Sequence, residues 1–278
     1  MTLTLPEKTR KLNDKDWLDL LIKSISNPVI NGVEFPAFPP DDLQTQFVGS
    51  ANEKALREAY EFYLLVKKYA KKLDKPLGRD SRFLDFGCGW GRFLRIFWKD
   101  VDEKNLFGCD VSRTIVDTCH DLKVPGQIDG IDTMGALPYP DNYFDEIMAY
   151  SVFTHLPEAV HLHWMRELAR VARPGCTFCL TLEPRRFIDF IANIPAQTES
   201  YWYQLLSRHK PRLDEFYKTF DSGSFVFMPT NEGSEESYGD AVVPLSFINR
   251  EWSAYFKVRD YIDDPAQFWQ AVLVAQRA

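Results

Sequence analysis

The sequence predicts an α/β fold in which a mostly parallel sheet carries helices on both faces. Three observations predict it. Short apolar segments alternate with amphipathic helical segments from residue 82 onward. A glycine-rich turn follows the first apolar segment. An acidic residue ends each of the first two apolar segments: Asp85 ends the first and Asp110 ends the second. Alternation at this spacing indicates parallel strands joined by right-handed crossovers, and a glycine turn between strand and helix is typical of a nucleotide-binding unit.

The first 78 residues predict helices that lie outside the sheet. Asn13 and Asp16 mark the start of a short helix, and four prolines between residues 27 and 42 then interrupt regular structure. Ser50 and Glu53 form a capping-box pattern at the start of a long amphipathic helix, which ends before residue 74. We therefore expect residues 1–78 to form an N-terminal helical cap.

The strands and helices of the expected core follow one another from residue 79 to residue 185. The apolar segments predict strands at 83–86, 105–109, 127–131, 144–150 and 177–182, and the amphipathic segments predict helices at 92–98, 112–122 and 157–172. Ser112 is the expected N-cap of the second helix, and a proline lies in the first turn of the third.

Strand–helix alternation lapses after the fifth strand. Residues 186–244 are rich in tyrosine, phenylalanine and tryptophan and end in an acidic loop, NEGSEESYGD. A helix at 245–255 and strands at 256–262 and 271–275 then restore the pattern. We expect residues 186–244 to be an insertion on the substrate side and residues 245–278 to complete the core.

Composition and charge narrow the possible functions. The 278 residues carry a net charge of −7, with 40 acidic against 33 basic side chains, which disfavours binding to a nucleic acid polyanion. No apolar run approaches the roughly 18 residues of a membrane span, so no membrane partner is expected. The N-terminus has no signal-peptide core, and the five cysteines fit a reduced, cytoplasmic protein. Cys176 and Cys179 lie in an apolar strand, so their spacing does not predict a metal site.

The glycine turn differs from two well-known phosphate-binding motifs. The chain has no G-x-x-x-x-G-K-[ST] string, and the third glycine of G-x-G-x-x-G is replaced by Arg92. The spacing present, G-x-G-x-G, suits a nucleotide ligand without a pyrophosphate. The Asp110 carboxylate can accept hydrogen bonds from both ribose hydroxyls, although it can also simply cap the following turn. Nicotinamide binding, as in a dehydrogenase, stays open as an alternative.

Four sequence blocks resemble the class I S-adenosylmethionine-dependent methyltransferases. They are FLDFGCGWGRFLR, FGCDVS, LPYPDNYFDEIMAYSVFTHLP and ELARVARPGCTFCLT, and they follow that family's order over residues 82–183. The resemblance implies a Rossmann-like sheet of seven strands with the last strand inserted antiparallel, N-terminal helices, a lid insertion after the fifth strand, and S-adenosylmethionine as cofactor. The late segment YGDAVVPLSFINREWSAYFKV resembles bacterial methyltransferases of small molecules or glycans.

The resemblance also implies roles for residues of the glycine turn. Asp85 and the backbone of Gly87, Cys88 and Gly89 would face the amino-acid end of the cofactor. Arg92 would pair with the cofactor carboxylate, or it would be a surface residue of the following helix; the sequence supports both interpretations equally.

Further cofactor contacts are implied along the edge of the sheet. The acid that ends the second strand would hold the ribose, and Val111 would pack on the adenine. Thr133 and Met134 would reach the adenine edge, with a register uncertain by a residue or two. Tyr150 and Ser151, at the end of the fourth strand, would lie beside the methionine part.

Two residues are candidates for the transfer chemistry. His155, in SVFTHLPE, follows the fourth strand and titrates near neutrality, so it is the expected general base; alternatively it packs in its loop. Glu183 ends the fifth strand and would face the acceptor or stand in solvent. His161 and His163 do not share a helix face, so no metal site is expected.

The sequence therefore predicts a methyltransferase acting on a small molecule or saccharide, with oxygen as the favoured acceptor atom. The N-P-P-[YF] signature of N-methylating relatives is absent after the fourth strand, where the chain reads SVFTHL. Aromatic residues of the insertion would hold a sugar or another ring. Two alternatives remain: a methyltransferase of protein or RNA, and a module that binds the cofactor without turnover. The oligomeric state is not predicted.

Overall fold

The computed structural model describes residues 5–230 and 238–278. Most of the predicted acidic loop, from residue 231 to residue 237, lies outside the described residues. The chain divides into two compact units. The first runs to residue 148 and includes 171–177, and the second comprises 149–170 and the chain from 178 onward. The predicted boundaries at residues 78, 185 and 244 stay a prediction.

The first unit contains the N-terminal helices and the strands next to the glycine loop. Its elements are α1 (Glu7–Arg10), α2 (Asp14–Ser24), β1 (Val29–Ile30), β2 (Val33–Glu34), α3 (Asp41–Val48), α4 (Asn52–Lys72), β3 (Phe83–Phe86), α5 (Arg92–Phe97), a 3₁₀ turn (Glu103–Asn105), β4 (Leu106–Asp110), α6 (Arg113–Asp121), β5 (Gln127–Gly130) and β6 (Phe144–Ala149). The last residue of β6 belongs to the second unit.

Of the two helix starts predicted in the N-terminal segment, one has the expected cap and the other does not. The Asn13 side chain accepts the N–H of Asp16 at 2.8 Å, so the predicted start of α2 is confirmed. The capping box expected at Ser50 is wrong, because the Ser50 hydroxyl donates instead to the Glu58 carboxylate at 2.6 Å. α4 begins two residues later, at Asn52, without a side-chain cap. The proline-rich stretch, expected to be irregular, contributes the β1–β2 hairpin and α3.

The second unit contains the insertion and the last strands. Its elements are α7 (Glu158–Val171), β7 (Ala172–Leu182), α8 (Arg185–Asn193), α9 (Tyr201–Ser207), a 3₁₀ turn (Lys210–Arg212), α10 (Leu213–Asp221), β8 (Val226–Pro229), β9 (Gly239–Val242), α11 (Leu245–Glu251), β10 (Phe256–Ile262) and β11 (Ala271–Arg277). The last residue of α7 and the first part of β7 belong to the first unit. α11 ends at Glu251, earlier than the residue 255 that periodicity predicts.

Seven strands form one sheet in the order β10-β11-β7-β6-β3-β4-β5, which confirms the predicted fold. β3 pairs in parallel with β4 and with β6, and β4 pairs in parallel with β5. The last strand, β11, lies between β7 and β10 and runs antiparallel to β10. Asp85 is in register with Gly108 on one side and Met148 on the other. The carboxyl ends of β3, β4 and β6 therefore meet at one edge, where α/β sheets bind ligands.

The insertion has an apolar core of its own. α8, α10 and the β8–β9 pair enclose Phe187, Ile191, Phe216 and Met228, all of which are buried. Amphipathic helices of this kind are stable only when their apolar faces are covered, so the segment folds as structured protein. Its role as a lid stays a prediction.

Candidate functional site

The glycine loop, residues 87–91, joins β3 to α5 in a backbone conformation that favours glycine. Gly87, Gly89 and Gly91 have φ values of 74°, 50° and 76°, all in the left-handed region. A side chain at Gly91 would also collide with Val124. The loop therefore needs glycine for its conformation, and at one position for its packing.

Asp110 connects the end of β4 to the glycine loop. Its carboxylate accepts the N–H of Gly89 at 3.0 Å and the N–H of Ser112 at 2.9 Å. Burial raises the pKa of Asp110, and these hydrogen bonds oppose the shift. Asp110 thus caps the turn that follows β4, which was one of the two interpretations of the sequence. It also binds the backbone of the glycine loop. Each carboxylate oxygen keeps a second lone pair with which it can accept a ligand hydroxyl.

Asp85 is a buried acid with an unused acceptor. Its Oδ2 atom has no hydrogen-bond partner among the residues that the structure describes. Burial raises the pKa of Asp85 to about 8, Arg92 opposes the shift, and the charge of Asp110 adds to it. A buried carboxyl oxygen without a donor is costly, so this atom fits a ligand that brings a donor, such as an ammonium group.

Arg92 is not a surface residue, so that alternative is wrong. The side chain is buried, and its Nη1 atom donates to the Ala55 carbonyl at 3.2 Å, with Glu58 at 4.0 Å. The helix that follows the glycine turn therefore packs against α4. A contact between Arg92 and the cofactor carboxylate stays a prediction.

Cys88 is part of the glycine loop, and its side chain is buried. Its backbone N–H donates to the Cys109 carbonyl at 3.0 Å, as does the N–H of Gly87 at 2.9 Å. The thiol of Cys119, on α6, donates to the Gly89 carbonyl at 3.2 Å. These contacts join the loop to both β4 and α6.

The residues predicted to contact the adenine lie just beyond β4 and β5. Val111 and Met134 are large apolar side chains about half exposed, and Thr133 is exposed as well. The N–H of Ile131 donates to the Asp110 carbonyl at 3.0 Å, which keeps the two strand ends side by side. Exposed apolar side chains beside an acid suit a nucleoside, in which a flat base adjoins a ribose.

No pattern in the sequence indicates that the N-terminal segment packs on the glycine loop. Trp90 of the loop contacts Phe38 with ring centroids 5.9 Å apart, and a Cβ at Gly89 would lie 3.4 Å from the ring of Phe47. Arg95 donates at 2.9 and 2.8 Å to two carbonyls of the proline-rich stretch. The only signal in the sequence was the presence of aromatic residues among those prolines.

In the second unit, Gln270 joins two predicted site residues. Its amide donates to the Ser151 hydroxyl at 3.0 Å and to the Glu183 carboxyl group at 3.1 Å. Ser151 has a φ of 59°, and its N–H donates to the hydroxyl of Thr181 at 2.7 Å. Tyr150, between β6 and Ser151, is half-buried. No motif in the sequence marks Gln270, which lies far along the chain in a loop before β11.

Glu183 is only 4% exposed, so its interpretation as a carboxylate in solvent is wrong. Burial raises the pKa of Glu183 to about 8; the hydrogen bond from Gln270 opposes this shift, and the nearby Asp240 adds to it. Burial likewise raises the pKa of Asp240 to about 7. Glu183 is therefore mostly protonated at neutral pH and can donate a hydrogen bond.

His155 is held in a defined orientation. Its Nδ1 atom lies 2.9 Å from the Gly239 carbonyl and 3.7 Å from the Asp240 carboxyl group. The imidazole stacks on Tyr238 with ring centroids 4.9 Å apart and planes 14° apart. Burial lowers the pKa of His155, which keeps the ring neutral at neutral pH. Because Nδ1 must carry the proton to donate to the carbonyl, Nε2 is left as the basic nitrogen.

β9 positions Gly239 and Asp240 beside the His155 imidazole. The N–H of Ala241 donates to the Thr154 carbonyl at 2.7 Å, and the N–H of Gly239 donates to the His155 carbonyl at 3.2 Å. The end of the insertion thus runs beside the turn that carries His155. His161 lies elsewhere, fully buried among aromatic rings. Across residues 5–230 and 238–278, no group of three metal-ligating side chains is arranged to hold an ion.

Residues 84–180 match the protein family described as a methyltransferase domain. Together with the seven-stranded sheet and the glycine loop, the match defines the class: the chain carries an S-adenosylmethionine-dependent methyltransferase domain. The matched stretch includes the glycine loop, Asp110 and the turn with His155. In the described part of the chain, no helix is long and apolar enough to cross a membrane.

Three relatives align with parts of the chain. A Schizosaccharomyces pombe protein named as an uncharacterized methyltransferase is 31% identical over 132 residues, 44% of this chain and 44% of its own length. Methyltransferase GfsG of Streptomyces halstedii is 26% identical over 214 residues, 74% of this chain and 70% of its own length. 27-O-demethylrifamycin SV methyltransferase of Amycolatopsis mediterranei is 33% identical over 106 residues, 36% of this chain and 38% of its own length. The alignments thus span less than half of two of these relatives.

A solved structure shares the fold. Magnesium protoporphyrin IX methyltransferase (ChlM) from Synechocystis PCC 6803, with bound SAH, superposes with a TM-score of 0.53 at 14% identity. The match covers 85% of this chain and 94% of that chain. At this identity the likeness concerns the fold alone.

Proposed function

We propose that the protein transfers a methyl group from S-adenosylmethionine to a hydroxyl oxygen of a small molecule or saccharide, with His155 as general base. The observation that carries the proposal is the contact of 2.9 Å between His155 Nδ1 and the Gly239 carbonyl. This contact leaves Nε2 as the nitrogen that accepts a proton. A hydroxyl acceptor needs such a base far more than an amine or a thiolate does.

The residues of the first unit fit the cofactor. The unpartnered Oδ2 of Asp85 would accept the ammonium of the methionine part, and Asp110 would accept the ribose hydroxyls. The exposed side chains of Val111 and Met134 would pack against the adenine. When bound, S-adenosylmethionine supplies an activated methyl group on a sulfonium. The protein's own contribution is to align the reactants and to manage the proton.

In the second unit, His155 Nε2 takes the proton of the acceptor hydroxyl. The imidazolium that forms is stabilised by the Asp240 carboxyl group, 3.7 Å from Nδ1. Glu183, largely protonated at neutral pH, is a hydrogen-bond donor for an acceptor oxygen. Tyr238, stacked on the imidazole, restricts its rotation.

The relatives support an acceptor of this kind. The name of the Amycolatopsis mediterranei protein places its methyl group on an oxygen of a small molecule. The missing N-P-P-[YF] tetrapeptide of N-methylating enzymes and the net charge of −7 favour the same class over amines and nucleic acid. A cytoplasmic location is part of this proposal, consistent with five free cysteines.

The test combines methyl transfer with cofactor binding. We expect the wild type to bind S-adenosylhomocysteine in calorimetry and to methylate at least one hydroxylated acceptor from a panel of sugars and phenols. His155→Gln should lower kcat by about 10²–10⁴-fold and leave S-adenosylhomocysteine affinity within about twofold. His163→Gln, on the adjacent helix, is the matched control and should keep full turnover.

Three outcomes would contradict the proposal. Unchanged turnover in His155→Gln would leave His155 a structural role only. Binding of S-adenosylhomocysteine without methylation of any acceptor would favour a module that binds the cofactor without catalysis, and methylation confined to protein or RNA would shift the substrate class.

A further inference from the structure

We propose that the second unit carries a saccharide subsite, in which an aromatic platform of Phe190, Trp202 and Trp269 adjoins the polar groups of Glu183 and Gln270. The inference rests on the proposed function, because the bound sugar would be the methyl acceptor or a part of it. The subsite would place the acceptor on the second unit, and the acceptor would be a sugar.

The platform consists of aromatic rings that are packed together yet open to solvent. Phe190 stacks with Trp202 at 5.6 Å between ring centroids and 27° between planes, and Trp269 meets Phe190 edge-on at 5.0 Å. Trp202 is 42% exposed and Trp269 is 50% exposed. Indole rings have large apolar faces, so two of them in one exposed cluster mark a surface suited to a ligand.

The platform is held rigidly by an ion pair. Arg186 lies one helical turn before Phe190 on α8, so the two side chains share a face of the helix. Its guanidinium pairs with Asp263 at 2.6 Å and donates to the Phe268 carbonyl at 3.1 Å. These contacts fix the loop that carries Trp269 against the helix that carries Phe190. A rigid platform binds with less loss of conformational entropy.

The polar part of the subsite begins at the next residue. Gln270 follows Trp269 directly and donates to Glu183 and Ser151. Its Oε1 atom is buried and has no hydrogen-bond donor within residues 5–230 and 238–278. Burial raises the pKa of Glu183, which favours the protonated form of its carboxyl group, and in that form the group is a donor. The cluster thus offers one unused acceptor and one donor, which together suit the hydroxyl groups of a sugar.

The combination of rings and polar groups selects against other ligands. A purely apolar ring would leave Gln270 Oε1 without a donor. An anionic ligand would gain little from Arg186, whose positive charge is already neutralised by Asp263. A neutral ring with an apolar face and hydroxyls at its edge, as in a hexose or deoxyhexose, fits both parts.

The experiment measures binding of simple glycosides to the full chain. Methyl β-D-glucopyranoside and methyl α-L-rhamnopyranoside are titrated while tryptophan fluorescence and saturation-transfer NMR are recorded, with cyclohexylmethanol as the apolar ring of similar size. We expect saturable binding of at least one glycoside and binding of cyclohexylmethanol weaker by about tenfold or more, because it lacks the paired hydroxyls.

Variants locate the binding on the platform. Trp202→Ala and Trp269→Ala should each raise the Kd of the glycoside about three- to tenfold by removing an aromatic face. Gln270→Leu, which keeps the volume but removes the polar groups, should raise it as well. Tyr201→Ala is the matched control: Tyr201 is 69% exposed and adjoins Trp202, but it takes no part in the ring contacts of the described residues, so its removal should leave the Kd unchanged.

Three binding results would overturn the subsite. They are no saturable binding of either glycoside, binding of cyclohexylmethanol as tight as that of the glycosides, and a rise in Kd for Tyr201→Ala as large as that for the tryptophan variants. Self-association that protects the two tryptophans, seen in sedimentation, would identify the platform as a contact between copies and would also overturn it. Titration with S-adenosylhomocysteine separates this from the proposed function. If S-adenosylhomocysteine binds and glycosides do not, only the subsite fails; if glycosides bind and S-adenosylhomocysteine does not, the proposed function fails.

Discussion

The Asp110 carboxylate accepts the backbone N–H of Gly89 at 3.0 Å, so an acid at the end of one strand fixes the loop that follows the neighbouring strand. The same carboxylate accepts the N–H of Ser112. A residue proposed to hold the ribose therefore also maintains the shape of the glycine loop. Substitution of Asp110 should affect cofactor binding and folding together, and the two effects need separate measurements.

Asp110→Ala should weaken S-adenosylhomocysteine binding by about 1.5–3 kcal/mol, the value of a hydrogen bond to a charged group, and should also lower the melting temperature. Asp110→Asn keeps an acceptor oxygen without the charge and should fall between the wild type and the alanine variant in both respects. Calorimetry gives the affinity, and thermal unfolding without ligand gives the stability. Unchanged affinity in Asp110→Ala would remove the residue from the cofactor site.

Cofactor binding should release a proton at neutral pH. The pKa of Asp85 is raised to about 8, so at pH 7 the group is mostly protonated. An ammonium ligand beside it favours the ionised form, and up to about one proton then passes to the buffer. Calorimetry with S-adenosylhomocysteine in phosphate and in Tris at pH 7 measures this release as a difference in enthalpy. The difference should vanish in Asp85→Asn; if it persists there, another group supplies the proton.

A larger side chain in the glycine loop should abolish cofactor binding. Gly89 has a φ of 50°, and an added Cβ would lie 3.4 Å from the ring of Phe47, so valine would strain the loop that is proposed to approach the cofactor. We expect Gly89→Val to lose detectable S-adenosylhomocysteine binding with a modest fall in melting temperature. Gly78→Val is the control, since nothing lies within 4 Å of its added Cβ. Normal binding by Gly89→Val would show that the cofactor does not approach this loop.

Stability should fall as pH rises, in part because of Glu183. The pKa of this carboxyl group is 4.5 when exposed and about 8 in the folded protein, so folding favours its protonated form. Its contribution to stability is fully present below about pH 4.5 and is lost progressively up to about pH 8. Asp85 and Asp240, whose pKa values are also raised, act in the same direction.

Glu183→Gln should therefore reduce the difference in the free energy of unfolding between pH 5 and pH 8, without abolishing it. Urea unfolding at both pH values measures that difference. Glu34→Gln, at an exposed position, provides the control and should leave it unchanged. A difference as large in Glu183→Gln as in the wild type would show that Glu183 ionises normally in the fold.

The strands and the glycine loop were predictable because their signals are local. Apolar runs of strand length, glycines at fixed spacing and an acid at a strand end are all patterns of a few residues. The resemblance then implied seven strands with an antiparallel last strand, but not their order in the sheet. The misplaced capping box at Ser50 shows how this reasoning can fail, because a carboxylate two turns along the helix takes its hydroxyl. Burial decided between the two interpretations of Glu183, and burial depends on packing that no local pattern contains.

Gln270 and Asp240 were beyond prediction for a different reason. Gln270 reaches Ser151 across 119 positions of the chain, and Asp240 approaches His155 only because β9 runs beside that turn. A single glutamine or aspartate in a loop carries no signal of its own. Such partners emerge only when the strands fix which distant segments meet.

Arg95 makes the matched methyltransferase region dependent on residues that precede it. Its guanidinium is fully buried, and the acceptors of its two hydrogen bonds are backbone carbonyls of the proline-rich stretch. In a fragment beginning at residue 79, this charge would remain beneath the glycine loop without those acceptors, a costly state for a buried cation. The stretch that matches the methyltransferase domain is thus shorter than the stretch that this fold needs to satisfy its buried charge. A chimera that grafts this core onto another protein has to carry the N-terminal residues with it.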